Sequence, residues 1–290
     1  MLYTLKNEQL TVTLSDFGAE VISVKHATGC EYIWQADPTY WAGQAPLLFP
    51  ICGRLTQGRY TYGGKTYEMN LHGFARKTTF AGEQTGENSV RFTLSDTPET
   101  RAIYPFAFAL TVDYTLEGNS LRSSITVENT GKEVLPNAVG LHPGFNVPLD
   151  SGSFEDWYLE FSEPCSPDKL IFSDTCYLTG KKVAFPLENG TTLALRHDLF
   201  DNDAIFLSRI GQTVSLRSDK SDRFVTFSFP EFPYLGIWHA PKTDAPYVCI
   251  EPWCGLPAYD GEIDDFATKC DMFRLCPGDK KTLGYSILFG

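Results

Sequence analysis

From Phe106 to Leu116 every second residue is apolar: Phe106, Phe108, Leu110, Val112, Tyr114 and Leu116, with Thr111, Asp113 and Thr115 between them. A period of two sends alternate side chains to opposite faces of an extended chain, so this stretch predicts a half-buried strand. Glu117-Gly118-Asn119 supplies a turn, and Leu121, Ser123, Ile125 and Val127 resume the alternation. Together they predict a long antiparallel hairpin. The same grammar recurs from Tyr60 to Tyr67 around Gly63-Gly64, and at Val90–Leu94, Leu193–Leu195, Val214–Leu216 and Phe224–Phe229. Thr282 to Phe289 reads as a closing strand.

A helical period is missing from the chain. The best place for a turn or two of helix is Pro38 to Gly43. Glycine and proline are spread throughout as turn markers, no repeat of solenoid or propeller length is found, and no shift in composition divides the sequence. The expectation is an all-β protein, one domain over residues 1–290, built as a large antiparallel sandwich with long loops between some strands.

Composition narrows the partners. The 290 residues are 42% hydrophobic and 21% charged, an ordinary globular balance, and the formal net charge is −12. Such a surface repels phosphate backbones and anionic lipid, so neither nucleic acid nor membrane is expected as a partner. The eight cysteines form no C-x-x-C pair and have no zinc-finger spacing with a histidine. MLYTLKNEQLTVTL has no signal-peptide pattern, and no apolar stretch has the length of a membrane span. The expectation is a cytoplasmic protein with free thiols.

Candidate chemistry lies where strands give way to glycine. His72 sits in Leu71-His72-Gly73-Phe74-Ala75-Arg76, and His142 in Gly140-Leu141-His142-Pro143-Gly144-Phe145-Asn146. His26, His197 and His239 have less unusual neighbours, and His26 is expected at the surface. Glu251 ends the apolar run Tyr247-Val248-Cys249-Ile250 and precedes Pro252-Trp253. Partial burial at a strand end would raise its pKa and suit it to base work, although a salt-bridged glutamate also fits the pattern. Arg54 follows Phe49-Pro50-Ile51-Cys52-Gly53 and offers a fork of donors for hydroxyls. Asp203, in Asp201-Asn202-Asp203-Ala204, reads on local grounds as turn chemistry. Trp34, Trp41, Trp238 and Trp253 could stack on a sugar ring, against a background in which most aromatics of a sandwich are core. Phosphate loops, dinucleotide fingerprints, nucleophile elbows and paired-histidine metal motifs are absent.

Four segments in order, Phe49-Pro50-Ile51-Cys52-Gly53-Arg54-Leu55, His72-Gly73-Phe74-Ala75-Arg76, Gly140-Leu141-His142-Pro143-Gly144-Phe145-Asn146 and Ile250-Glu251-Pro252-Trp253, resemble the ordered motifs of the aldose 1-epimerase (galactose mutarotase-like) superfamily, and within it the LacX-like branch. The resemblance covers essentially the whole chain. It implies a β-supersandwich with an open cleft, a sugar as small-molecule substrate, and no cofactor or metal. It also implies that Glu251 takes a proton from the anomeric hydroxyl while His142 gives one to the ring oxygen. His72 would steady the substrate, and Arg54 and Asp203 would hold its hydroxyls. Two departures bear on sugar preference. Gly144 stands where galactose mutarotases commonly carry an aromatic residue, and the segment around Asp203 differs from their Asp-His pattern.

The chemistry fits independently. Anomer exchange needs one base and one acid around the reacting carbon–oxygen unit, each contributing roughly 10²–10⁴-fold. A hexose-6-phosphate epimerase of the same fold would need an Arg/Lys cluster, for which Arg54, Arg76 and Lys77 are the candidates. A non-catalytic sugar-binding module is the third reading, and a glycosidase, lacking a second persuasive carboxylate, the fourth. The assembly is expected to be a monomer or a homodimer.

Overall fold

In the computed structural model, which describes Met1–Gly290, the predicted hairpin forms as two ten-residue strands, Phe108–Glu117 and Ser120–Asn129. They pair antiparallel from Glu117↔Ser120 to Phe108↔Asn129. The burial of the first alternates strictly until its final glutamate, as the period of two requires.

This hairpin is part of a nine-stranded antiparallel sheet. Its order is Thr192–Ala194, Trp157–Phe161, Thr213–Ser218, Ser221–Ser228, Lys280–Phe289, Ser120–Asn129, Phe108–Glu117, Ser89–Ser95 and Ala81–Gly86. A second large sheet runs Leu178–Ala184, Asp168–Phe172, Ile205–Ser208, Tyr234–Trp238, Tyr247–Trp253, Gly140–Leu141 and Leu47–Leu48, and Gly144–Asn146 also pairs with Tyr247–Trp253. The two sheets bury their facing sides in one cluster of 70 residues. Phe145 meets Phe227 across it with ring centroids 6.4 Å apart, and Phe49 meets Phe108 at 5.1 Å. A three-stranded sheet, Leu2–Lys6, Leu10–Ser15 and Glu20–His26, the pair Leu135–Asn137/Phe273–Leu275 and the small hairpin Arg59–Tyr62/Lys65–Glu68 complete the frame.

Strand makes up 49% of the chain and helix 7%. The one α-helix, Pro98–Ile103, is not where a helical turn was expected. Thr97 caps it by accepting from Thr100 N at 3.2 Å, while Thr97 N donates to Thr100 Oγ1 at 2.8 Å, and Pro98 opens the first turn. Residues 38–43 instead form turns, with Tyr40 N and Trp41 N both donating to Asp37 O. No helix is long and apolar enough to cross a membrane.

Candidate active site

Glu251 lies inside its strand rather than at its end. Tyr247–Trp253 continues through Pro252, and Glu251 pairs with Gly236 of Tyr234–Trp238. Alternation along this strand sends Val248 and Ile250 into the main core, so Tyr247, Cys249 and Glu251 project from the opposite face. His142 is carried over that face by a break between two short strands. Gly140 pairs with Trp253 on one side of the break and Gly144 with Cys249 on the other, while Ile250 N donates to Pro143 O at 3.1 Å. This arch sets His142 Nε2 3.3 Å from Glu251 Oε2.

Both side chains are nearly shut off from water, at 12% and 2% exposure. Burial pushes the Glu251 carboxyl well above the usual carboxylate range, and the negative charge of Asp203 adds to the effect. Burial, helped by the charge of Arg76 and opposed by a backbone hydrogen bond and by Asp203, likewise lowers the His142 imidazole to about 4. Glu251 Oε1 and His142 Nδ1 are buried without a partner. Burial therefore disfavours the charged form of each group, the imidazolium of His142 and the carboxylate of Glu251.

His72 reaches the same place from another loop. Its backbone is left-handed at φ 63°, its N–H donates to Gly53 O at 2.8 Å, and its Nδ1 accepts from Gly53 N at 3.0 Å. That last bond fixes the neutral tautomer with the proton on Nε2. The ring stands edge-on to His142 at 5.7 Å and to Trp253 at 5.3 Å. Gly73 makes the junction possible: Phe74 N donates to Phe49 O at 3.0 Å, and a Cβ at position 73 would lie 2.2 Å from that oxygen. The Phe49–Arg54 and His72–Arg76 segments are thus laced into one unit.

Arg54 donates from NH1 to Thr175 O at 3.2 Å, and the next residue, Cys176, donates its thiol to Asp203 Oδ2 at 2.9 Å. Asp203 Oδ1 accepts from Trp238 Nε1 at 2.8 Å, with the aspartate held in the left-handed region at φ 72°. Asp203 is thereby more than a turn residue. Burial and then this carboxylate push the Cys176 thiol up to about 11, leaving it protonated as a donor. All five residues singled out in the sequence come to one region: His142 touches Glu251 and His72, while Arg54 and Asp203 are joined through the Thr175-Cys176 turn.

The four tryptophans named as stacking candidates divide. Trp41 stacks on His142 with centroids 5.0 Å apart and planes 30° apart, and Trp238 meets His142 edge-on at 5.7 Å. Trp34 and Trp253 are buried supports, Trp34 donating from Nε1 to Trp41 O at 2.8 Å. Arg76, named earlier only as a candidate phosphate ligand, bears on both His72 and His142 and keeps a buried Nε without a partner, while Lys77 is exposed. His239 proves wholly buried: its Nδ1 donates to Ala240 O at 2.8 Å, so its Nε2 accepts from His197 Nδ1 at 3.1 Å. Its neighbours Phe200 and Tyr247 lie far apart in the sequence, so nothing local signalled this.

Sequence spacing gives no metal motif, yet folding brings one donor atom each from His142, Cys249 and Glu251 within 4.8 Å of one another. In their present arrangement these groups suit proton transfer: an acid–base pair on an enclosed face, aromatic walls, and polar groups from Arg54, His72 and Asp203 at its edge.

The match described as aldose 1-epimerase spans residues 1–259. The chain is 39% identical to the chromosomal and plasmid forms of protein LacX of Lactococcus lactis subsp. lactis, over 99% of either sequence. Among solved structures it is similar to a galactose mutarotase related enzyme from Lactobacillus acidophilus, with 40% identity, a TM-score of 0.95, and 100% and 97% of the two chains covered. A galactose mutarotase-like protein from Lactobacillus casei gives 33% identity and a TM-score of 0.93 with both chains covered fully. Matching relatives end to end in sequence and in fold, this chain belongs to the aldose 1-epimerase family, a family of isomerase-type sugar enzymes.

Proposed function

We propose that the protein interconverts the α and β anomers of a neutral aldose, with Glu251 and His142 as its base and acid. The observation that carries the reading is the 3.3 Å contact between two enclosed groups whose remaining polar atoms, Glu251 Oε1 and His142 Nδ1, have no protein partner. A buried pair holding one proton can take a proton at one oxygen and deliver one at another, provided the sugar sets its anomeric hydroxyl against Glu251 and its ring oxygen against His142.

In the competent form the shared proton resides on His142 Nε2 and Glu251 is the carboxylate. Glu251 removes the proton from the anomeric hydroxyl, the C1–O5 bond breaks as C1 becomes an aldehyde, and His142 Nε2 gives its proton to O5. The aldehyde turns about C1–C2. Closure then reverses every transfer: O5 attacks the other face of C1, returns its proton to His142, and the new hydroxyl recovers one from Glu251. No electrons leave the substrate. His72, with its proton on Nε2, donates to the sugar, and Arg54 and Asp203 hold its hydroxyls. Trp238 gains orientation from its bond to Asp203.

A sugar 6-phosphate is the second reading, motivated by Arg54 and Arg76, whose charges both bear on His72. The neutral sugar is favoured because carboxylates accompany both cations: Glu20 acts on Arg76, and Asp203 bonds Cys176 beside Arg54. The test is to dissolve single anomers of glucose, galactose and their 6-phosphates and follow each to equilibrium by polarimetry or NMR. Acceleration of a neutral sugar is expected. Clear preference for a 6-phosphate would reverse the order, and no acceleration of any sugar would remove the catalytic reading.

A further inference from the structure

Cys249 has no part in the acid–base scheme, yet its thiol shares the face that carries Glu251. The two residues are two apart on one strand, and Gly144 and Trp238 flank Cys249 in the sheet. Its donor atom, one from His142 and one from Glu251 all lie within 4.8 Å of one another, and all three residues are buried or nearly so. The Glu251 side chain is 2% exposed, and its Oε1 has no partner.

The distances fit a particular class of ion. Two ligands sharing a tetrahedral zinc, with bonds of about 2.0–2.2 Å, stand about 3.3–3.5 Å apart. His142 Nε2 and Glu251 Oε2 are 3.3 Å apart. A thiolate bonded at about 2.3 Å would stand about 3.5–3.7 Å from either of them. From its limit of 4.8 Å the Cys249 thiol must close by little more than about 1 Å. One imidazole, one thiolate and one carboxylate carry two negative charges and match a doubly charged cation, and the sulfur selects thiophilic metals over magnesium or calcium.

We propose that His142, Cys249 and Glu251 form a site for a thiophilic divalent cation of the zinc class, and that filling it shuts out the sugar. The metal forms bonds to sulfur, oxygen and nitrogen, and the thiol and the carboxyl release one proton each to solvent. The inhibitory half rests on the assignment of Glu251 and His142 as the reacting pair. The binding half stands on geometry alone.

The test uses the purified full chain, cobalt(II) and zinc(II). Cobalt should give one equivalent of a thiolate-to-metal charge-transfer band in the near ultraviolet. Zinc should displace it, Cys249→Ser should abolish it, and Cys176→Ser should keep it. Zinc should slow anomer exchange in competition with the sugar, and magnesium should not. In Cys249→Ser, which keeps its metal-free exchange, the zinc needed for half inhibition should rise by at least roughly 10–100-fold, the loss found even for outer-sphere partners of a metal. Should that variant not fold, the wild-type band must still fall as sugar is added. A wild-type protein with no thiolate band, or zinc inhibition undiminished in folded Cys249→Ser, overturns the site. A band with exchange untouched keeps the site and removes the catalytic assignment instead.

Discussion

Gly144 holds open the space that Trp41 fills: a Cβ at position 144 would stand 3.1 Å from Cζ3 of Trp41 and 3.1 Å from Cβ of Trp34. Trp41 comes from a loop far earlier in the chain than the His142-Pro143-Gly144 segment it packs against. Its ring lies across His142. Gly144→Ala should therefore cost about 1–3 kcal/mol, the usual penalty of overpacking. It should also slow anomer exchange by moving Trp41. Chemical denaturation and polarimetry of a pure anomer read the two effects, and an unchanged midpoint with an unchanged rate would contradict the packing described.

Glu251→Gln keeps the shape of the side chain but cannot take a proton, and His142→Asn cannot donate one. Each should lower turnover by roughly 10²–10⁴-fold. Because both groups serve one step, the double variant should be little worse than the poorer single one. Sugar binding, measured by calorimetry, should survive in all three through Arg54 and Asp203. Wild-type exchange by Glu251→Gln would falsify the role given to that residue. Full loss of binding would recast it as a ligand holder.

The pH profile follows from the same burial. His142 is held at about 4 instead of 6.5, so the second proton that silences the pair binds only in strongly acid solution. The ratio kcat/KM, which reports the free enzyme, should stay level below the ordinary imidazole value and fall only near pH 4. Its alkaline limb should lie where the raised Glu251 carboxyl gives up the single proton. For stability the sign is definite. Between 6.5 and about 4 the unfolded chain protonates this histidine and the folded one does not, so the His142 contribution is lost as pH falls through that window. Glu251 acts oppositely: its contribution is present below 4.5 and is lost as pH rises toward the folded value. An acid limb at 6.5 would mean that His142 is not held neutral.

Gly73→Ala should damage the fold before it damages the chemistry. A left-handed backbone alone costs alanine about 1–2 kcal/mol, and here the added methyl also meets Phe49 O at 2.2 Å with φ at 71°. Loss of the cooperative unfolding transition, or a midpoint lowered by more than in Gly144→Ala, is the expected result. Full stability would show that the two loops are not locked together as described.

The long hairpin was legible because its sheet hides one face and leaves the other half-exposed, so alternation is written directly into Phe108–Glu117 and Ser120–Asn129, whereas Tyr247–Trp253 is buried on both faces and shows none. The arrangement of the strands was not legible. Lys280–Phe289 reads as a strand, but its neighbours in the sheet are distant in sequence, and only long-range pairing selects them. Glu251 stood out as an acid in an apolar run, and Pro252 then suggested a strand end that the sheet does not respect. The helix at Pro98–Ile103 is written only in its cap, Thr97-Pro98-Glu99-Thr100, because so short a helix has no periodicity to display. Cys249 gained a place near His142 only on folding, and Trp41 and Arg76, which the sequence offered as a stacking residue and a phosphate ligand, were likewise brought to His142 only by the fold. No spacing rule connects residues on separate loops and strands.

Lys280–Phe289 bonds to Ser120–Asn129 on one side and to Ser221–Ser228 on the other. Without it the nine strands part into two groups of four, each with a raw edge of unpaired amides and carbonyls. Assembly of the sheet thus waits on a segment that follows nearly everything it joins, which makes for slow, non-local folding. Until that segment docks, the half-built sheets can pair with other copies as readily as with each other. Expression yield should therefore respond more sharply to temperature and chaperone supply than the stability of the finished protein would suggest, and removing this one strand should yield aggregate instead of a smaller folded unit.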